Sequence, residues 1–259
     1  MLIDTHCHLY SEAFDDDRDQ MIGRARERGV ELFYLPAIDS SYTESMYRLE
    51  DQYPDQMRLM MGLHPTSVKA NFKEELEHVF RQFEARDFWA VGEIGIDLYW
   101  DKSTIAWQID AFHQQIELAK SKQLPIVIHC RESFDEIFDV LEQHRGPLLR
   151  GIFHCFTGTL DQANQAIDLG MKLGIGGVVT FKNGKIDQFL DQVEMKHLVL
   201  ETDSPYLSPV PYRGKRNESS YLSLVCEKLA QVYDVTPNEV ARETTKNAME
   251  VFEKGIKKS

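Results

Sequence analysis

Eight short runs rich in β-branched and aromatic residues, spread along the whole chain, constrain the fold more than any other feature. They cover residues 2–5, 32–38, 58–63, 88–94, 125–130, 150–155, 171–175 and 198–202. Between most of them lies enough chain for a helix. Ile105, Ile109, Phe112 and Ile116, for example, fall at spacings of three and four and make one apolar stripe. Alternating strands and helices build parallel sheet, because parallel neighbours need a long crossover. Eight such repeats in 259 residues suit a (β/α)8 TIM barrel, which needs about 250 residues. The expectation is one barrel domain over residues 1–259, with no composition shift to mark a boundary. Helical segments at 220–233 and 237–254 are expected to close the last repeat. Thr236-Pro237-Asn238-Glu239 predicts a capping box, and Gly29 and Gly170 predict left-handed helix ends. An open doubly wound sheet would need a glycine-rich turn after an early strand, where this chain has His6-Cys7-His8.

Charge and apolar content narrow the function. A formal net charge of −13 disfavours general adhesion to nucleic acid or anionic membrane, though a local cationic site remains compatible with it. The apolar runs, such as Ile126-Val127-Ile128, fall far short of the roughly 18 residues of a membrane span. The N-terminus opens directly into the first strand without a basic and apolar leader, so a cytoplasmic location is expected. Four cysteines make no disulfide framework in a chain of this length. Nothing points to a membrane or to an obligate protein partner.

In a parallel barrel the active site lies at the C-terminal ends of the strands. Candidate metal ligands fall there: His6 and His8 after the first strand, Glu93 on the fourth, His129 on the fifth, His154 on the sixth and Asp203 after the eighth. Imidazole with carboxylate suits Zn, Mn, Fe, Ni or Co, with Mg where oxygen donors and water dominate. Strand alternation lets His6 and His8 point inward together and turns Cys7, Cys130 and Cys155 outward, away from any shared thiolate site. By the same parity Asp4 and Glu201 lie one layer below His6 and Asp203, either orienting ligands or serving as polar core. Asp97 is expected to fix a loop, and His78, His113, His144 and His197 are expected to be incidental. His64, in Gly62-Leu63-His64-Pro65, is a candidate donor to an anionic substrate. Arg213 and Lys215, in a cationic run soon after Asp203, are candidate phosphate contacts. Tyr99, Trp100 and Tyr206 fit either base stacking at the rim or packing on the barrel.

These motifs resemble a known family. Asp4-Thr5-His6-Cys7-His8, Gly92-Glu93-Ile94-Gly95-Ile96-Asp97, Ile128-His129-Cys130-Arg131, Phe153-His154-Cys155-Phe156-Thr157-Gly158 and Glu201-Thr202-Asp203-Ser204-Pro205 look like those of TatD-type metal-dependent deoxyribonucleases, among the amidohydrolase-like barrels. The match runs in order from Leu2 to about Phe252. The resemblance implies a hydrolase of nucleic-acid phosphodiesters, acting on DNA with RNA also open, through metal-activated water. It implies two divalent ions (Mg, Mn, Zn, Ni or Co) on His6, His8, Glu93, His129, His154 and Asp203. Glu93 would bridge them and Asp203 would act as general base. One departure stands out: Asn217-Glu218 is followed by Ser219, where the family often has proline, which puts that loop's rigidity in question. The rival readings are a barrel hydrolase of a lactone, amide or aminoacyl ester, and a non-catalytic nucleic-acid-binding scaffold. The cationic run favours phosphate over a neutral substrate, and the six ligand types argue against a retired site.

Overall fold

A computed structural model of the chain describes residues 1–253. All eight expected strands form: β1 (Leu2–Asp4), β2 (Val30–Leu35), β3 (Met57–Leu59), β4 (Val91–Asp97), β5 (Ile126–Arg131), β6 (Gly151–Phe153), β7 (Met171–Ile175) and β8 (Leu198–Leu200). Neighbours pair in parallel as β1-β2-β3 and as β4 through β8. The two seams carry isolated bridges, Met61 with Val91 and Cys7 with Ser204. Backbone hydrogen bonds reinforce them, from Gly92 N–H to Met61 O and from Thr5 N–H to Leu200 O (both 3.0 Å). The strands thus follow one another around a (β/α)8 barrel whose seams are shorter than full ladders.

The helices are α1 (Arg18–Glu27), α2 (Thr43–Gln52), α3 (Phe72–Ala85), α4 (Ile105–Lys122), α5 (Phe134–Gln143), α6 (Leu160–Asp168), α7 (Leu222–Tyr233) and α8 (Pro237–Glu253). Lys254, placed by the sequence at the end of the last helix, lies outside the described residues. The capping box before α8 forms, with Glu239 N–H donating to Thr236 Oγ1 and Thr236 N–H to Glu239 Oε2. Gly29 (φ +83°) and Gly170 (φ +84°) take the left-handed conformation beyond α1 and α6. One repeat departs from the pattern. Between β7 and β8 the chain makes only 3-10 turns, from Gly177–Thr180 to Met195–His197. Gly176, Gly177 and Gly184 interrupt any helical stripe there, and glycine costs roughly 1 kcal/mol relative to alanine inside a helix.

The barrel interior holds Ile3, Tyr34, Met60, Ala90, Val127, Ile152 and Val199, packed against Ala248, Val251 and Phe252 of α8. The Tyr34 and Phe252 rings stack 3.7 Å apart. Helix α8 therefore plugs the N-terminal end of the barrel and leaves the opposite mouth for polar side chains. A larger apolar layer, which includes Cys7, fills the space between strands and helices. None of the helices among the described residues is long and apolar enough to cross a membrane.

Parity on β1 differs from the expectation for Asp4. Ile3 takes the inward position, so Asp4 turns away from the axis. Its carboxylate accepts from the Thr202 N–H (2.9 Å), the Thr202 hydroxyl (2.6 Å) and the Ser219 hydroxyl (2.6 Å). Alternation does not carry from Asp4 to His6 because β1 ends at Asp4, and beyond it only Cys7 keeps an isolated bridge. Ser219, in place of the proline, thus ties its loop to β1 through a buried hydrogen bond.

The plug yields a stability test. Phe252→Ala removes a fully buried ring and is expected to cost about 3–5 kcal/mol in urea denaturation. A loss within about 1 kcal/mol would mean that α8 is not part of the barrel core.

Candidate metal centre

The backbone at the mouth is bent to aim side chains inward. Ala90 faces the interior, so strict alternation would turn Glu93 outward. A register shift between Gly92 and Ile94 reverses that and brings Glu93 into the barrel, the usual effect of a bulge beside a site. Gly95 (φ +135°) lets β4 run close against β5, because a Cβ there would strike the His129 carbonyl. Glu132 (φ +55°), Cys155 (φ +43°) and Asp203 (φ +56°) are left-handed at the mouth ends of β5, β6 and β8. Such conformations cost a non-glycine residue roughly 1–2 kcal/mol and gather where the backbone re-aims functional groups.

The six expected ligands come together, four histidines and Asp203 gathered around the carboxylate of Glu93. Glu93 is 2% exposed. Its Oε2 lies 3.1 Å from His6 Nε2 and 3.8 Å from His8 Nε2. Its Oε1 lies 2.8 Å from His129 Nδ1 and 3.6 Å from His154 Nε2. Asp203 Oδ1 closes the first group, 3.8 Å from His6 Nε2 and 3.6 Å from His8 Nε2. Donors that share a metal at 2.0–2.2 Å stand roughly 3.0–3.6 Å apart, and most of these separations are close to that range. Both ring nitrogens of His6 are buried without a hydrogen-bond partner. An unpaired buried polar atom costs about 1–3 kcal/mol, which a bound cation would offset. The donor set therefore fits divalent metal ions. The cysteines contribute no donor to these clusters among the described residues.

Neighbouring groups decide which ring nitrogen each histidine offers. The Tyr10 hydroxyl donates to Pro36 O (2.5 Å), so it accepts from His8 Nδ1–H (2.7 Å) and leaves His8 Nε2 free. Asp97 Oδ2 accepts from His129 Nε2–H (2.8 Å), leaving Nδ1 toward Glu93. Glu201 Oε1 lies 2.9 Å from His154 Nδ1 at an oblique angle and keeps the proton there, leaving Nε2 toward the site. His64 is the reverse. Its Nδ1 accepts the Thr66 backbone N–H (3.1 Å), which can only donate. The proton of neutral His64 therefore sits on Nε2, 3.2 Å from His129 Nδ1 and 3.3 Å from Glu93 Oε1. Although His64 stands within the cluster, it presents a hydrogen and not a lone pair.

The electrostatics follow this layout. Burial pushes the His6 and His64 pKa values down. Burial works to raise Glu93, but His64, His6, His154 and His129 outweigh it and hold the carboxyl well below its usual range. Burial likewise opposes ionisation of Asp203, and His154, His8 and His6 bring its pKa below the ordinary value. Burial also pushes His154 down, yet Glu201, Glu93 and Asp203 prevail and raise it to about 10.

Other expected residues fall into place around this centre. Arg213 and Lys215 are exposed on the loop after β8, with the Arg213 guanidinium 3.6 Å over the Phe181 ring. Arg216 is committed elsewhere, bound to Asp17 (2.7 and 2.9 Å) and Ala13 O (2.7 Å). Asp97 fixes its loop by accepting the N–H groups of Tyr99 (3.0 Å) and Trp100 (3.1 Å) as well as holding His129. Glu201 lies beneath His154, whereas Asp4 does not reach the cluster. His113 and His144 bond each other (2.7 Å) on the outer helices. Sequence reasoning missed Tyr10 altogether, although it sits two residues past His8, and took Asp97 for a loop residue alone.

Comparison with known proteins gives the chain's relatives. A family model described as TatD related DNase matches residues 3–253. The uncharacterised metal-dependent hydrolase YabD of Bacillus subtilis is 36% identical over 254 residues, covering 97% of this chain and 99% of that protein. The 3'-5' ssDNA/RNA exonuclease TatD of Yersinia pseudotuberculosis is 30% identical, over 97% and 99% of the two chains. The crystal structure of YjjV, a TatD homologue from Escherichia coli, superposes with a TM-score of 0.91 at 29% identity, over 97% and 98% of the chains.

With its pKa raised to about 10, His154 carries a second proton, on Nε2, near neutral pH, and that proton must leave before the nitrogen can bind a metal. Calorimetric titration with Mn or Zn in buffers of different ionisation heat should show release of about one proton or more near neutral pH. Affinity should rise with pH, by up to about tenfold per unit for each proton released. Binding without proton release, at an affinity independent of pH, would contradict the assignment of His154.

Proposed function

The chain belongs to the TatD-related DNase family, and from that premise we propose that it is a divalent-metal-dependent hydrolase of nucleic-acid phosphodiester bonds. The observation that carries this reading is the double engagement of Glu93, one oxygen toward His6 and His8 and the other toward His129 and His154. His6, His8, Asp203 and Glu93 would hold one ion, and His129, His154 and Glu93 the other. Such a pair supplies polarised phosphoryl oxygens and a water acidic enough to ionise near neutral pH.

The chain's own groups do the remaining work. Asp203, buried and kept ionised by the surrounding histidines, accepts the proton of the attacking water. His64 donates its Nε2–H to a phosphate oxygen, fixed in that role by Thr66. Tyr10, Asp97 and Glu201 hold three rings in place, so little reorganisation is needed when substrate arrives. Arg213 and Lys215 offer exposed charge for the polyanion against a chain of net −13. The single-strand activity in the name of the Yersinia relative supports single-stranded DNA or RNA as substrate. A neutral lactone or amide would have no use for these cations.

The test is hydrolysis by freshly purified protein before and after chelation, on single- and double-stranded DNA, RNA, phosphate monoesters and lactones, with Mg, Mn and Zn in turn. Metal-dependent phosphodiester cleavage is expected, and rapid lactone opening without nuclease activity would overturn the reading. Asp203→Asn is expected to retain metal yet lose about 10²–10³ in kcat, the size of one lost pre-organised group. Near-normal turnover by the metal-loaded variant would remove Asp203 from the base role.

A further inference from the structure

Tyr99, Trp100 and Arg131 stand at the mouth without joining the cluster of donors. Trp100 is 69% exposed and Tyr99 49% exposed, in the loop that leaves β4. Arg131 ends β5, two residues past His129. Its guanidinium lies 3.8 Å from the Tyr99 ring centre and 5.4 Å from that of Trp100. The two rings meet edge to face, 4.9 Å apart. Of the other two tryptophans, Trp107 (42% exposed) stacks on Phe72 of α3, and Trp89 meets Tyr34 and Arg58. Among the described residues, the ring and cation contacts of Trp100 are with Tyr99 and Arg131, both at the mouth, and its indole is otherwise largely open to solvent.

The loop is held firmly. One Asp97 oxygen accepts both the Tyr99 and Trp100 N–H groups while the other holds His129. A single carboxylate therefore ties the aromatic pair to a ring of the proposed metal centre. Glu132, next in sequence to Arg131, turns to Lys102 instead (3.9 Å). No carboxylate pairs with Arg131 among the described residues.

We propose that Trp100, Tyr99 and Arg131 form a nucleobase subsite, which stacks an unpaired base flanking the scissile phosphodiester and sets Arg131 against its phosphate. This inference rests on the phosphodiesterase reading. Every base has a flat π-face, so an exposed indole binds bases without sequence preference. Arginine serves both parts of a nucleotide, stacking through its plane and pairing with phosphate through its edge. Bases inside a duplex have both faces covered by their neighbours, so the platform selects single strands and frayed ends.

The test compares single-stranded oligonucleotides carrying an abasic residue at each position flanking the cleaved bond with their intact counterparts. For the metal-loaded wild type, one abasic position is expected to lower kcat/KM by roughly tenfold or more. In Trp100→Ala that discrimination collapses, while Trp100→Phe restores most of it. Oligonucleotide binding should quench tryptophan fluorescence in the wild type and much less in Trp100→Phe. If wild type and Trp100→Ala cleave, and both discriminate equally or neither does, the subsite is overturned and the phosphodiesterase reading stands. If the metal-loaded wild type cleaves no oligonucleotide, that reading fails and the subsite falls with it.

Discussion

The two oxygens of Glu93 face different partners, and the rest of the barrel mouth is arranged around that split. A buried carboxylate is costly unless opposite charge or hydrogen bonds compensate it. Here four histidines surround it and hold its pKa well down. The bulge on β4 aims the carboxylate inward, and the α8 plug closes the far end of the barrel with apolar side chains. The apolar half supplies stability and leaves the polar half free to concentrate donors.

The histidines divide into two kinds by the protons they carry. His8, His129 and His154 are each gripped from outside, by Tyr10, Asp97 and Glu201, on the nitrogen turned away from Glu93. Once their inward nitrogens give up any second proton, they turn lone pairs toward the site, which is what cations need. His64 is gripped on its other nitrogen by a backbone N–H and turns a hydrogen inward, which is what a phosphate needs. Proximity alone would group His64 with the ligands; hydrogen-bond direction separates it. Outside groups that orient ligand rings commonly change metal affinity about 10–100-fold, so Tyr10 and Asp97 belong to the site as much as the rings they hold.

Much of this was legible in the chain. The eight strands, the barrel, the closing helices and the placing of six polar side chains at strand ends all follow from apolar periodicity and from where polar residues interrupt it. What periodicity cannot supply is a break in periodicity. Asp4 was misplaced because β1 stops short of His6, and Glu93 reaches the interior only through a bulge that parity does not foresee. The β7–β8 connection, rich in glycine, forms 3-10 turns and no helix. Tyr10 was invisible because a phenol two residues past a ligand carries no metal signal, and its role depends on the distant Pro36 carbonyl.

Two ions sharing Glu93 are the central requirement of this chemistry, and anomalous diffraction from crystals of the Mn-loaded protein tests it most directly. Two peaks are predicted, about 3.5–4 Å apart, one beside His6, His8 and Asp203 and the other beside His129 and His154, with the Glu93 carboxylate between them. A single peak at saturating Mn, or peaks that Glu93 does not touch, would contradict it.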